Sequence, residues 1–286
     1  MLNPNYTLEK RIQAETVSFS GEFGVYANDL RGNVVEVRAD EPFETASCIK
    51  AFILADLYRQ AAAGKKSLSD RLTYTAENQI DGSGILQSLE VGTELSVKNL
   101  ATLMIIVSDN IATNILIDYL GLSHINDTIR GLGLTRTELF NKIDFERYDR
   151  LGTTTPREYG SLFERICGRE LISPGASDEM LSIFRKQHYN SMLVRDFPQD
   201  SLDSENSGDE NLIQTASKSG SMDACRNDGG IITTPYGSYV AVLFTKKFHD
   251  PLYYPDHEST RFGAKVSRLL LDQYLALEGR FAFRAE

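Results

Sequence analysis

The chain is short of cysteine and histidine, and each shortage removes a class of chemistry. Its three cysteines, Cys48, Cys167 and Cys225, are odd in number and far apart, so no disulfide framework is expected and a reducing compartment fits. Cys48 reads as a small buried residue. The four histidines, at 124, 188, 249 and 257, have no carboxylate or cysteine neighbours at ligand spacing, so no metal site is expected. No apolar run reaches the roughly 18 residues a transmembrane helix needs. Gly-rich nucleotide fingerprints are missing too, and no cofactor is expected. The opening residues Met1-Leu2-Asn3-Pro4-Asn5-Tyr6 lack the basic-then-apolar pattern of a secretory leader. The expectation is a cytoplasmic protein, or a periplasmic or secreted one whose leader has been removed. Basic residues are also scarce: 30 Lys and Arg against 40 Asp and Glu leave a net charge of −10, which argues against nucleic acid and anionic membranes as partners. Part of the excess is local. Residues 199–212 hold Asp200, Asp203, Glu205, Asp209 and Glu210 without a base, a pattern of a solvated loop or of a screen on what approaches Lys218.

What is present reads as an ordered globular chain. Its 286 residues, 41% of them hydrophobic, suffice for one large domain or two lobes. Residues 22–28 and 34–38 read as strands joined around Gly32-Asn33. From 47 to about 192 the pattern is helical, with helices over 50–63 ending at Gly64, over 97–107, and over 111–120 ending at Gly121. Strand signals return at 213–219, 229–234 and 238–246. The last is apolar almost throughout, as a strand covered on both faces would be. A closing helix over 258–277 repeats Phe262, Val266, Leu269, Leu270 and Tyr274 at helical spacing. Strands at both ends with helices between predict an α+β fold: one antiparallel sheet flanked by terminal helices, with an inserted all-helical lobe. The expected division is 1–45 with 196–286 as the α/β lobe and 46–195 as the helical lobe.

Three short motifs carry chemistry. Ala46-Ser47-Cys48-Ile49-Lys50-Ala51-Phe52 opens an amphipathic helix and places Ser47 and Lys50 at i and i+3, on one helix face. A neighbouring amine that accepts the serine proton turns a poor nucleophile into a competent one. The helix N-terminus adds backbone N–H groups where an oxyanion would form. Alone, Ser-x-x-Lys is commonly a chance pattern. Met104-Ile105-Ile106-Val107-Ser108-Asp109-Asn110 then ends a hydrophobic helix in Ser-Asp-Asn, and Ser217-Lys218-Ser219-Gly220-Ser221 supplies Lys-Ser-Gly beside a strand. In this order the set is that of class A β-lactamases and penicillin-binding proteins. Over residues 8–277 the chain resembles the class A β-lactamase-like serine hydrolases of the penicillin-recognising superfamily. The run Ser108-Asp109-Asn110-Ile111-Ala112-Thr113-Asn114 and the run Thr153-Thr154-Thr155-Pro156 extend the likeness.

The resemblance implies a helical lobe inserted into an α/β lobe, with the site in the cleft and a small-molecule acyl donor, a β-lactam or peptide-like compound, as partner. It casts Ser47 as nucleophile, Lys50 as base and Ser108 as proton relay, with a helix cap as the alternative for Ser108. Asp109 would hold the turn, and Asn110 would bond Lys50 and a substrate amide. Lys218 and Ser219 would face a substrate carboxylate from a strand edge. Gly220 permits close approach, and Ser221 N–H would pair with Ser47 N–H as the oxyanion hole. Arg226 is either a further carboxylate contact or a solvated hairpin arginine. Gly82-Ser83-Gly84-Ile85 resembles the cleft-rim loop, with a small Ser83 where many members carry an aromatic gate. One departure matters. The family's Glu-x-x-Leu-Asn motif, whose glutamate activates the deacylating water, is missing between Phe140 and Thr153. Asp144 is the nearest acid there and Glu146 the next, and surface pairing with Lys142, Arg147 or Arg150 is the alternative for both. The readings are therefore a hydrolase that turns over β-lactams, a DD-peptidase or esterase that does so weakly, or a β-lactam-binding protein that stays acylated.

Overall fold

A single strand with two apolar faces organises the molecule. The computed structural model describes residues 4–202 and 212–277. In it, β11 (Gly237–Lys246) turns Val240, Val242 and Phe244 to one core and Tyr239, Ala241 and Leu243 to another. Alternation along a strand sends successive side chains to opposite faces, so a strand covered on both sides must be apolar at every position. β11 pairs antiparallel with β1 (Glu22–Asn28) on one side and β10 (Cys225–Thr234) on the other. β2 (Val34–Val37) closes one edge; β8 (Gln214–Ser217) and β9 (Gly220–Met222) pair in turn with β10 at the other. The two ends of the chain thus meet in one antiparallel sheet, as expected.

Terminal helices cover one face. Leu8 and Ile12 of α1 (Pro4–Glu15) and Val266 and Leu270 of α8 (Glu258–Leu277) pack on it. α1 went unread in the sequence, because two apolar residues one turn apart are too weak a stripe to stand out. The other face carries the helices α2 (Lys50–Ala62), α3 (Val97–Ile106), α4 (Asn110–Leu120), α5 (Leu122–Gly131), α6 (Pro156–Cys167) and α7 (Pro174–Phe184). Local chemistry sets their ends. Ser96, Asp109, Thr155 and Ser173 accept backbone N–H groups as N-caps of α3, α4, α6 and α7, and proline opens the last two. Gly64 and Gly121 follow α2 and α4 at φ +66° and +86°, conformations that favour glycine.

The stretch 47–192 is not helical throughout. It contains the hairpin of β4 (Arg71–Thr73) with β5 (Glu94–Ser96), and β6 (Glu138–Leu139) and β7 (Gly152–Thr154), which join β3 (Phe43–Glu44) in a small sheet. Strands of two or three residues are too short to display a period. β10 begins four residues earlier than expected, because Arg226, Asn227 and Asp228 are polar yet buried. Of the acidic run at 199–212, residues 203–211 lie outside the described residues. Among the described residues no helix is long and apolar enough to cross a membrane, and no group of three His, Cys, Asp or Glu is placed to hold a metal ion.

α6 packs on the sheet through a glycine. A Cβ at Gly160 would stand 2.4 Å from Cδ1 of the buried Tyr26 ring, whose hydroxyl donates to Glu164 Oε1 at 2.6 Å one helical turn on. Alanine would improve helix propensity by up to about 1 kcal/mol, whereas forcing the ring aside costs about 1–3 kcal/mol. Gly160→Ala is therefore expected to lower stability by about 1–2 kcal/mol in urea unfolding. An unchanged or raised midpoint would show that the ring yields freely.

Candidate active site

Ser47 lies where a turn becomes a helix. The 3₁₀ turn Ala46–Ile49 runs directly into α2. Ala46 takes φ +43°, a left-handed conformation that costs a non-glycine residue roughly 1–2 kcal/mol and that folds retain where geometry demands it. Two neighbours fix this turn. A Cβ at Gly220 would stand 2.7 Å from Cys48 N and 2.8 Å from Ser47 N, so glycine is what lets β9 lie backbone to backbone against it. The Cys48 thiol donates to the Lys218 carbonyl at 3.3 Å, and the Tyr159 hydroxyl donates to the same oxygen at 2.7 Å. Burial pushes that thiol up to about 12, which keeps it a protonated donor. Cys48 is the small buried residue expected. Ser47 and Ser221 both line the cleft above.

Lys50 is fully buried one turn further on. Its ammonium donates to the Ser108 carbonyl at 2.7 Å, Ser108 Oγ at 3.0 Å and Asn110 Oδ1 at 2.9 Å, three acceptors for three donors. Burial first, and repulsion from Lys218 second, hold its proton affinity well below that of an ordinary lysine. Ser108 reaches this position at φ +52°, in the corner between α3 and α4. Asp109 holds the corner: Oδ1 accepts Ala112 N–H at 2.9 Å, and Oδ2 accepts the N–H groups of Ile85 and Leu86 at 2.7 and 2.8 Å. The cap at this corner is therefore Asp109, not Ser108. Asn110 N donates to Ser83 O at 2.9 Å and Asn110 Nδ2 to Asp81 O at 3.1 Å, which docks the Gly82-Ser83-Gly84 loop beside the serine.

Lys218 and Ser219 sit between β8 and β9. Those strands share one register on β10, with Ser217 opposite Gly230 and Gly220 opposite Asn227, and Lys218 N donates to Gly229 O at 3.0 Å. The Lys218 side chain turns inward. It is fully buried, and its ammonium donates to Ser219 O at 2.6 Å. Burial takes it down to about 8, against the pull of Asp228, whose own burial pushes its carboxyl up to about 6. Ser219 lines the inner end of the cleft together with Ser47, Ser108 and Ser221.

Two further expected residues are engaged by the protein's own groups. Arg226 is not a solvated hairpin arginine: it is buried in β10, and its guanidinium donates to the carbonyls of Met222, Cys225, Pro251 and Leu252. Its planar face covers the Tyr253 ring at 4.1 Å. Asp144 lines the cleft, but its Oδ1 accepts the N–H groups of Glu146 and Arg147 at 3.2 Å each, and its Oδ2 lies 3.4 Å from Arg147 Nε. Lys142 pairs with Asp118 and Arg150 with Glu44. The loop is anchored by Asn114, which donates to Ile143 O at 2.8 Å and accepts Ile143 N–H at 2.9 Å.

Several cleft residues carry no sequence motif. Glu44 Oε1 accepts the N–H groups of Ala46, Leu151 and Gly152 at 3.3, 3.0 and 3.1 Å, tying the serine turn to the end of the loop. Phe145, Tyr148 and Tyr253 also line the cleft, whose volume is ≈ 940 Å³. The only sequence signal that could have found the three rings is an aromatic residue among charged and polar neighbours.

A model of the beta-lactamase enzyme family matches residues 7–274. A β-lactamase of Streptomyces lavendulae is 28% identical over 176 residues, covering 58% of this chain and 57% of that protein. One of Bacillus licheniformis is 33% identical over 104 residues, 36% of this chain and 33% of that one. The chain thus spans little more than half the length of the curated relatives it matches, or less. A solved β-lactamase of Sphaerobacter thermophilus DSM 20745 is 28% identical with a TM-score of 0.81, covering 94% of this chain and 97% of that one. A mutant of PBP-A, solved as its acyl-enzyme complex with penicillin G, is also 28% identical with a TM-score of 0.81, over 96% and 97%. The match runs nearly the whole chain and the three motifs converge on one cleft; the chain belongs to the beta-lactamase enzyme family.

Proposed function

We propose that the protein is a serine hydrolase that forms an acyl-enzyme on Ser47 with a β-lactam or a related amide or ester. The observation that carries this reading is the meeting of buried Lys50 with Ser108 and Asn110, one helical turn from a serine that lines the cleft. Ser47 Oγ attacks the carbonyl carbon and its proton passes to neutral Lys50 Nζ. The C–N or C–O bond breaks as Ser108 Oγ delivers a proton to the leaving atom and is resupplied from Lys50. The lone pair of the neutral amine takes the Ser47 proton, and the resulting ammonium donates to Ser108 Oγ, 3.0 Å away, the direction in which the proton then passes. The N–H groups of Ser47 and Ser221 receive the oxyanion. Asn110 orients Lys50 and meets the substrate amide. Ser219 offers its hydroxyl to a substrate carboxylate, with buried Lys218 behind it supplying positive potential. Arg226 spends four N–H donors on backbone carbonyls and acts by holding this wall of the cleft.

A second reading, slow release of the acyl group, is favoured by the loop. It lacks Glu-x-x-Leu-Asn, and Asp144 is already engaged by two N–H groups and Arg147. A DD-peptidase, an esterase, or a binder that remains acylated fits that chemistry. A mutant of PBP-A, a structural relative, has been solved as an acyl-enzyme complex with penicillin G, which supports acylation as the step this architecture serves.

Ser47→Ala should abolish covalent labelling by penicillin G and by a fluorophosphonate in intact-mass measurements, with an unchanged circular dichroism spectrum. An adduct on the variant, or on another residue of the parent, would remove Ser47 from this role. Lys50→Ala should slow acylation by about 10²–10⁴-fold.

The acylation rate should rise with pH as Lys50 loses its proton, and the rise should fall below the ordinary lysine range. Lys218→Met removes a neighbouring positive charge, makes Lys50 easier to protonate, and so should move that rise to higher pH. A rise that stays in place or moves down would contradict the coupling of the two amines.

With penicillin G in excess, the adduct should accumulate because deacylation is slower than acylation. Asp144→Asn should lengthen the adduct's lifetime, without changing how fast it forms, if Asp144 activates the water; Glu146→Gln is the control. An unmodified mass throughout rapid steady hydrolysis would show that another group activates water efficiently.

A further inference from the structure

The mouth of the cleft combines two features that Ser47 chemistry does not require. Phe145, Tyr148 and Tyr253 are large rings left 55%, 46% and 60% exposed, and all three line the cleft that Ser47 lines. Scattered exposed aromatics are ordinary, but convergence on one cleft is not. Two of the rings have defined neighbours. Phe145 sits on a loop pinned by Asn114, and its Cε2 would lie 3.5 Å from a Cβ at Gly82, across the rim. Tyr253 has Arg226 over one face, so a ligand meets the other.

Charge is the second feature. Among the described residues, Glu44, Asp144, Asp149 and Asp223 line the same cleft, against Arg150 alone as a cation. Arg150 is paired with Glu44 and lies over the Phe140 ring, and Asp144 is paired with Arg147. Asp149 and Asp223 form no ion pair among the described residues. The two lysines of the motifs are buried beneath the cleft and add no cation at its mouth.

We propose that this rim selects acyl donors whose side chain carries an ammonium group beside an apolar one, and discriminates against side chains bearing a carboxylate. An ammonium is attracted both by the faces of aromatic rings and by exposed carboxylates. A carboxylate is repelled by the second and gains nothing from the first. A neutral aromatic side chain gains only ring packing and should fall between them. The inference rests on the acyl-enzyme chemistry proposed for Ser47.

Three penicillins that share one nucleus test it: ampicillin, penicillin G and carbenicillin carry ammonium, neutral and carboxylate side chains. Second-order rate constants for acylation of Ser47 would be measured by intact mass at pH 6, where the ampicillin amine is protonated. The expected order is ampicillin, then penicillin G, then carbenicillin, with the outer pair separated by roughly tenfold, since each such contact is worth a few-fold. The separation should shrink in 0.5 M salt, which screens exposed charges. The double substitution Asp149→Asn with Asp223→Asn should also bring the ampicillin and carbenicillin rates together. Equal rates in the parent, a reversed order, or an order indifferent to both salt and the double substitution would overturn the rim reading while leaving Ser47 chemistry standing. Failure of all three to acylate Ser47 would overturn the proposed function, and this reading with it.

Discussion

The burial of Lys50 is the constraint on which the rest of the site depends. Removing an ammonium from water costs several kcal/mol in a protein interior unless its donors are satisfied. Among the described residues no carboxylate forms an ion pair with it; the Ser108 carbonyl, Ser108 hydroxyl and Asn110 amide oxygen satisfy it instead. Those three oxygens come from one short segment on another element, so the corner between α3 and α4 must press against the first turn of α2. Ser108 accordingly accepts φ +52°, and Asp109 spends its carboxylate on three backbone N–H groups that lock the corner and the neighbouring rim loop together. Because the amine is removed from water, and because a second buried cation, Lys218, stands nearby, the proton on Lys50 is loosely held. The arrangement that makes burial tolerable is also the one that suits a base.

The serine turn is governed by close backbone approach. Gly220 lets β9 touch the turn, Cys48 bonds the Lys218 carbonyl, and Glu44 joins the turn to the end of the loop over 140–151. That loop departs most from the family pattern. Of its acidic side chains, Asp144 is drawn into local contacts and an ion pair and Asp149 lines the cleft, and the loop contributes rings to the rim. The residues of the three motifs are thus gathered at one cleft, while the loop over 140–151 and the rings at the cleft mouth lie outside those motifs.

Much of the architecture was legible because strong periodicity reports burial directly. The strand at 22–28 and the helix at 258–277 have the bounds their patterns indicate, and the uniformly apolar β11 is covered on both faces. The misses share a cause. α1 has too small a stripe, β3, β6 and β7 are too short for any period, and the start of β10 is polar because its side chains bond buried carbonyls instead of water. The reading of Arg226 as solvated failed for the same reason: composition records that a group is charged, not whether backbone carbonyls will surround it.

By itself the sequence determined which chemical groups were available and, through the i, i+3 rule, that Ser47 and Lys50 share a helix face. It also determined that the two ends of the chain build one sheet. Only the tertiary structure decided that Lys50 and Lys218 lie in the interior, that Glu44 clasps the serine turn to the end of a distant loop, and that three rings from two loops line the cleft. The division has a physical basis. Helix and strand periods are local and are written in consecutive residues, whereas burial of an amine or convergence of loops depends on contacts between segments tens to hundreds of residues apart, which no local spacing records.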